Sequence, residues 1–132
     1  MCSIMGFTSK TLQQKDFQKF FDKTISRGPD MSRVMETPSG YLCFHRLAIM
    51  GLSESGMQPF TLGRDAVVCN GEIYCFRSLK KELSKKYTFR SGSDCEIILP
   101  LYREYGVDMF KKLDAEFAMV LYDAPADQWI AA

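Results

Sequence analysis

Apolar and polar residues change period several times along the chain, and each change marks an element. Cys2-Ser3-Ile4-Met5-Gly6-Phe7 is short and apolar and reads as a strand. Leu12, Phe17, Phe20, Phe21 and Ile25 then recur at helical intervals behind Thr11 and Gln14, which have capping-box spacing. That pattern predicts a helix from about 11 to 25. Arg27-Gly28-Pro29-Asp30 stops it, since Gly and Pro together end a helix and open a turn. Residues 31–40 read as a loop followed by a weak strand, and Tyr41 to Leu47 as a β-rich run holding the single histidine, His45. Residues 50–64, punctuated by Gly and Pro, read as a long loop. Asp65 to Cys69 reads as a short strand ending at Asn70-Gly71.

In the second half, Phe76, Leu79 and Leu83 share one face of a helix predicted from about 76 to 86. Lys80, Lys81, Lys85 and Lys86 form its solvated side. Tyr87-Thr88-Phe89-Arg90 alternates like a short strand. Ser93 and Glu96 form a second capping box, opening a helix that runs to Tyr105 and stops at Gly106. Pro100 lies inside it, where a missing hydrogen bond costs about 3 kcal/mol, so a kink or a break is expected. A short helix around 108–113, a strand from Glu116 to Tyr122, a turn at Ala124–Asp127 and the start of a strand at Trp129 follow. Strands and helices mix without a βαβ repeat, which predicts one α+β domain of antiparallel sheets with helices packed on them.

Composition narrows the class. Apolar residues are 46% and charged residues 25% of 132, ordinary globular values that exclude a disordered chain, a collagen and a simple coiled coil. Basic and acidic groups number 8 and 6 in residues 1–66 and 9 and 10 in residues 67–132, so neither half is a phosphate-binding block. No apolar run approaches the roughly 18 residues of a membrane span, and the first residues lack the basic region of a secretory signal. Neither a nucleic acid nor a membrane is therefore an expected partner. Five cysteines, no C-x-x-C pair and one histidine give no zinc spacing and no disulfide framework. The simpler reading is a reducing, cytoplasmic compartment with four mostly buried thiols.

Cys2 differs from the other four. Its small side chain permits removal of Met1, which would set a thiol beside a free α-amine of pKa about 7.7–8.0, a competent base for a nucleophile of pKa about 8.5. Simple packing would also explain a cysteine there. Asn70-Gly71 reads either as a tight turn or as an oxyanion hole, with the Asn70 amide and the Gly71 N–H as donors. Arg46 is either a surface cation or, at a strand end facing a cleft, a bidentate clamp for a carboxylate. Asp94 suits the first turn of a helix and could equally pair with a ligand ammonium. His45 reads as a packed strand histidine. A thiol, two oxyanion donors, an Arg for a carboxylate and acids for an amine together fit a free amino acid with a terminal amide, which is glutamine.

Met1-Cys2-Ser3-Ile4-Met5-Gly6, Arg27-Gly28-Pro29-Asp30, His45-Arg46-Leu47-Ala48-Ile49, Gly56-Met57-Gln58-Pro59, Asn70-Gly71-Glu72-Ile73-Tyr74 and Ser91-Gly92-Ser93-Asp94-Cys95-Glu96 occur in that order. The set resembles the glutaminase domain of glutamine-hydrolysing asparagine synthetases, which are class II amidotransferases of the N-terminal nucleophile hydrolase type. The resemblance implies a four-layer αββα sandwich of two antiparallel sheets. It implies that Cys2 attacks the glutamine amide, that Asn70 and Gly71 hold the oxyanion, and that Arg46 binds the α-carboxylate. Glu72 and Asp94 would bind the α-ammonium, and Leu47, Ile49 and Met50 would line the pocket, with Arg27 in support. It implies no cofactor or metal in this domain. It also implies that residues 1–132 are an incomplete type 2 amidotransferase domain, with a synthetase domain beyond it that uses ATP and Mg to amidate aspartate. A homodimer is left open. So are another ammonia acceptor and an inactive domain that only binds glutamine or a partner. Cys75 departs from the Asn that family members often carry there, and little effect is expected from it.

Overall fold

The computed structural model describes residues 2–49 and 53–132. Among the described residues, seven strands form two sheets in which every pairing is antiparallel. β1 (Ser3–Thr8), β2 (Met31–Thr37) and β3 (Gly40–Arg46) make the first sheet, with β3 between the other two. β4 (Phe60–Leu62), β5 (Asp65–Ile73), β6 (Ala115–Asp123) and β7 (Gln128–Ala131) make the second, in chain order. The fold is an α+β sandwich. No helix among the described residues is long and apolar enough to cross a membrane.

Strand alternation sorts the side chains. On β3, Leu42 and Phe44 point at the second sheet, where they meet Ala66 and Val68 of β5, Met57 and Tyr122. Tyr41 and Cys43 point the other way, onto Phe17 and Phe21 of α1 (Gln14–Phe21). The outer face of the second sheet carries Val67, Ile73, Met119 and Leu121. They pack against Leu83 of α2 (Phe76–Leu83) and Ile98, Leu99 and Leu101 of α3 (Ile98–Tyr105). Each sheet is thus covered by the other on its inner face and by helix on its outer face. Each fully buried Leu, Ile or Phe in these layers contributes roughly 1.5–3 kcal/mol.

His45 shows how the first sheet is pinned to its helix. The ring is fully buried and stacks on Phe21 at 3.6 Å with an interplanar angle of 4°. Its Nε2 lies 3.1 Å from the Phe21 carbonyl and its Nδ1 2.6 Å from Ser32 Oγ. A carbonyl oxygen only accepts, so Nε2–H donates and Nδ1 accepts the serine hydroxyl. The packed-histidine reading holds.

Several boundaries differ from those expected. The first helix begins at Gln14 rather than near 11, and Asp16, not Gln14, closes its cap by accepting the Gln13 N–H at 2.7 Å. Thr11 and Leu12 are turned back on Ser9 Oγ instead. The helix tightens into a 3₁₀ helix over Asp22–Arg27, and Leu12, Phe20 and Ile25 are exposed. Residues 31–37 are a full strand because both its ladder bonds and its partly buried Met31, Val34 and Met35 come from β3 and the layers beside it. The expected long loop contains a 3₁₀ turn at Glu54–Gly56 and strand β4. Tyr87 to Arg90 is not a strand; Tyr87 and Phe89 alternate because both pack onto the core around α3. Lys80 leaves the solvated face, donating from Nζ to the Ser91 carbonyl at 2.8 Å. The helix carrying Pro100 does break: a 3₁₀ helix over Asp94–Ile97 precedes α3. Pro100 then falls in the first turn of α3, where an N–H has no intrahelical partner to lose.

The corrected helix register is testable. Phe21→Ala should lower the unfolding free energy by about 3–5 kcal/mol, whereas Phe20→Ala on the exposed side should change it by no more than about 0.5 kcal/mol. Chemical denaturation of both variants of the full chain measures the contrast; equal losses would place the helix differently.

Candidate active site

The inter-sheet space opens at one end into a cleft of about 490 Å³. Its walls are the N-terminal end of β1, the C-terminal ends of β3 and β5 and the start of β6. Cys2, Arg46, Leu47 and Ile49 line one side, and Asn70, Gly71, Glu72 and Asp94 the other. These are all the sequence-derived candidates but one; Met50 lies outside the described residues, as does Met1.

Cys2 precedes Ser3, which pairs with His45, so the same register sets Cys2 beside Arg46 at the end of β3. The Leu47 N–H donates to its Sγ at 3.3 Å, and the thiol in turn reaches the Leu47 carbonyl at 3.6 Å. Arg27 Nε donates to the Cys2 carbonyl at 3.2 Å. The rest of that motif holds the exit from β3. Gly28 lies so close to the sheet that a Cβ there would fall 2.3 Å from the His45 carbonyl oxygen. Asp30 follows, donating its N–H to the Arg46 carbonyl at 3.0 Å and accepting the Ala48 N–H on its carboxylate at 2.8 Å. Arg46 itself is 3% exposed, an even-numbered β3 residue on the cleft side of the sheet, with Nη1 donating to the Ser53 carbonyl at 2.9 Å.

Asn70-Gly71 is not a turn. β5 runs straight through it to Ile73, with Asn70 opposite Ala118 and Gly71 opposite Phe117 on β6. Alternation continues from Ala66 and Val68, so Asn70 and Glu72 face the first sheet and hence the cleft. Glycine is required at 71 by the close approach of β6: a Cβ would lie 2.3 Å from the Glu116 carbonyl oxygen and 2.5 Å from the Phe117 Cα. The backbone of β5 is equally ordered. Gln58 binds both polar groups of Cys69, accepting its N–H at 2.6 Å and donating to its carbonyl at 2.9 Å. Asp94 accepts the Ile73 N–H at 2.7 Å. In an antiparallel ladder alternate residues turn both groups to the same neighbour. Cys69 and Ile73 therefore point away from β6, and the Gly71 N–H between them points with them.

Asp94 is 6% exposed and sits in the first turn of the 3₁₀ helix, as the helix-end reading expected, while its carboxylate also lines the cleft. The loop before it is folded around Glu96, which does not cap Ser93. Its carboxylate accepts the N–H groups of Arg90 and Ser91 at 2.7 and 2.8 Å and the Ser91 hydroxyl at 2.6 Å. In the sequence Gln58 and Asp30 carry no role, and Glu96 is expected only to cap Ser93. Their signal was a polar side chain beside a Pro, a Gly or a helix start, which does not say which backbone it will bind.

All five cysteines are free. Burial pushes the Cys43 thiol up to about 12. Cys95, at the cleft, is held well above the usual thiol value by the neighbouring Cys69 thiol and by burial. Cys75 is half-buried rather than buried, and its Sγ accepts the Asp114 N–H at 3.3 Å while donating to the Lys112 carbonyl at 3.6 Å. One donor and one acceptor are what a side-chain amide would offer there. Among the described residues, no group of three or more His, Cys, Asp and Glu could hold a metal ion.

The sequence profile of the glutamine amidotransferase domain matches residues 1–132. The chain belongs to that family. It is 44% identical, along its whole length, to the probable glutamine-hydrolysing asparagine synthetase of Schizosaccharomyces pombe. It is 44% identical over its whole length to asparagine synthetase 1 (glutamine-hydrolysing) of Saccharomyces cerevisiae. Over 98% of its length it is 34% identical to asparagine synthetase B (glutamine-hydrolysing) of Escherichia coli. The chain spans about a quarter of the length of these relatives, 25%, 24% and 24% respectively.

In this amidotransferase domain, Gln58→Ala would leave the buried Cys69 N–H and carbonyl without their partner. The expected loss is about 2–6 kcal/mol of stability, since each of the two buried unsatisfied groups costs about 1–3 kcal/mol. Gln58→Glu should also destabilise, because an ionised carboxylate cannot donate to the Cys69 carbonyl. Denaturant titration checks both, and a neutral Gln58→Ala would remove the clamp.

Proposed function

We propose that this chain is the glutaminase domain of a glutamine-hydrolysing asparagine synthetase, releasing ammonia from glutamine through a thioester on Cys2. The observation that carries the proposal is the convergence on one cleft of a thiol, a buried guanidinium, an amide donor and two carboxylates: Cys2, Arg46, Asn70, Glu72 and Asp94. In this reading Cys2 Sγ attacks the side-chain amide carbon, and its proton passes to the Cys2 α-amine and then to the departing ammonia. The Asn70 amide and the Gly71 N–H hold the oxyanion; the direction of that N–H, away from β6, supports the role. Arg46 takes the α-carboxylate, Glu72 and Asp94 the α-ammonium, and Leu47, Ile49 and Met50 the aliphatic stem. Water then cleaves the thioester to give glutamate.

The helix-covered pair of sheets supports assignment to the four-layer αββα fold of N-terminal nucleophile hydrolases. The greater length of the relatives supports residues 1–132 being part of a longer protein. Its synthetase domain would use ATP and Mg to amidate aspartate with the ammonia, in the cytoplasm, as a monomer or a homodimer. No cofactor is assigned to the glutaminase cleft.

Cys2→Ala should abolish ammonia release from glutamine and leave glutamine binding largely intact, because other residues build the pocket. Wild-type turnover in that variant of the full chain would overturn the assignment. Asn70→Ala should lower kcat by about 10²–10³ with little change in KM, since an oxyanion donor acts in the transition state. Arg46→Ala should mainly raise KM. Steady-state kinetics separates the two, and identical patterns would remove the distinction. A form retaining Met1 has an amide in place of the Cys2 amine and should be inactive; intact-mass measurement beside a glutaminase assay tests it.

A further inference from the structure

The cleft-facing positions of β5 and β6 meet in register: Ala66 with Tyr122, Val68 with Val120, Asn70 with Ala118 and Glu72 with Glu116. The first two pairs close the sandwich. The third sets a small residue beside the Asn70 amide and leaves the space over it open. The fourth is unusual, because two carboxylates stand directly opposite each other, with Cβ atoms about 5 Å apart. Like charges in that arrangement repel and destabilise the sheet. Neither carboxylate is in an ion pair among the described residues. Both line the cleft, as do Asp94 and Arg46. Tyr74 stands at the same rim, and its hydroxyl pKa is raised by partial burial, by the charges of Glu116, Glu72 and Asp114, and by its hydrogen bond to Glu116.

We infer that Glu116 is a substrate-binding residue of this cleft, a third carboxylate for the α-ammonium of the amino-acid substrate. The inference rests on the glutaminase reading above. A primary ammonium has three N–H donors and no acceptor, so it is satisfied by three acceptors arranged around it. Glu72 and Glu116 offer two from adjacent strands, and Asp94, whose other oxygen is held by the Ile73 N–H, offers the third. The repulsion between Glu72 and Glu116 in the free protein is relieved when a cation enters. The cleft therefore favours an amino acid over the same amide lacking its amino group. Arg46 supplies the complementary charge for the carboxylate end.

The test is Glu116→Gln in the full chain, which keeps the size and removes the charge at an exposed position. KM for L-glutamine should rise about three- to fivefold, the range of a partly solvated ion pair, while kcat falls by less than about twofold. The inhibition constant of 5-amino-5-oxopentanoate, which is glutamine without its amino group, should not change. Glu116→Asp, which restores the charge, should recover part of the affinity. A matching rise in the inhibition constant of the deaminated amide would overturn the inference, since Glu116 would then shape the cleft rather than bind the ammonium. An unchanged KM in the variant of an active parent would overturn it and leave glutamine hydrolysis standing. A parent that releases no ammonia from glutamine would overturn both.

Discussion

Leu42 and Phe44 on β3 pack against Ala66 and Val68 on β5, and this dry contact between the sheets determines what can face the cleft. Once those four residues are inside, strict alternation leaves no choice further along. Arg46 must emerge on the same face as Phe44, and Asn70 and Glu72 on the same face as Val68. A one-residue slip of β5 would send Asn70 into the helix layer and bring Gly71 to the cleft. The polar end of the cleft is thus positioned by the apolar end, and its geometry is as firm as the core behind it.

The segments that are not strands are fixed by a different device. Asp30, Gln58, Asp94 and Glu96 each spend a side chain on a neighbouring segment's backbone. The bonds fall at Ala48, Cys69, Ile73 and Arg90–Ser91, each within a few residues of a candidate substrate-binding group. Bonds of this kind contribute about 1–3 kcal/mol when one partner is charged, and more is lost when a buried backbone group is stranded. They hold loops that have little apolar surface of their own.

Much of this was legible in the sequence. The α+β class, the strands at 2–7, 41–47, 65–69 and 116–122 and the break in the helix that carries Pro100 follow from period and punctuation. The candidate residues quoted there reach one cleft, apart from Met50, which lies outside the described residues. What was not legible depends on partners far along the chain. Asn70-Gly71 has the local chemistry of a turn, and only the passage of Phe117 beside Gly71 shows why glycine stands inside a strand. Leu12 and Ile25 fit a helical face that Phe17 and Phe21 alone bury, because the helix is shorter than its pattern. Residues 31–37 look weak as a strand until β3 supplies the ladder.

The bonding of Cys69 to Gln58 has a consequence beyond the cleft. Beyond Val67, the partner of Phe60, β4 no longer accompanies β5, so residues 69, 71 and 73 turn their N–H groups outward from the sheet. Such a row is a template on which another chain can add a strand, the usual start of aggregation. Gln58 occupies the first site of the row and the Asp94 carboxylate the last. An incoming strand would have to displace both and would find no continuous register. The Gly71 N–H can therefore stay turned away from β6 without the strand becoming a sticky edge.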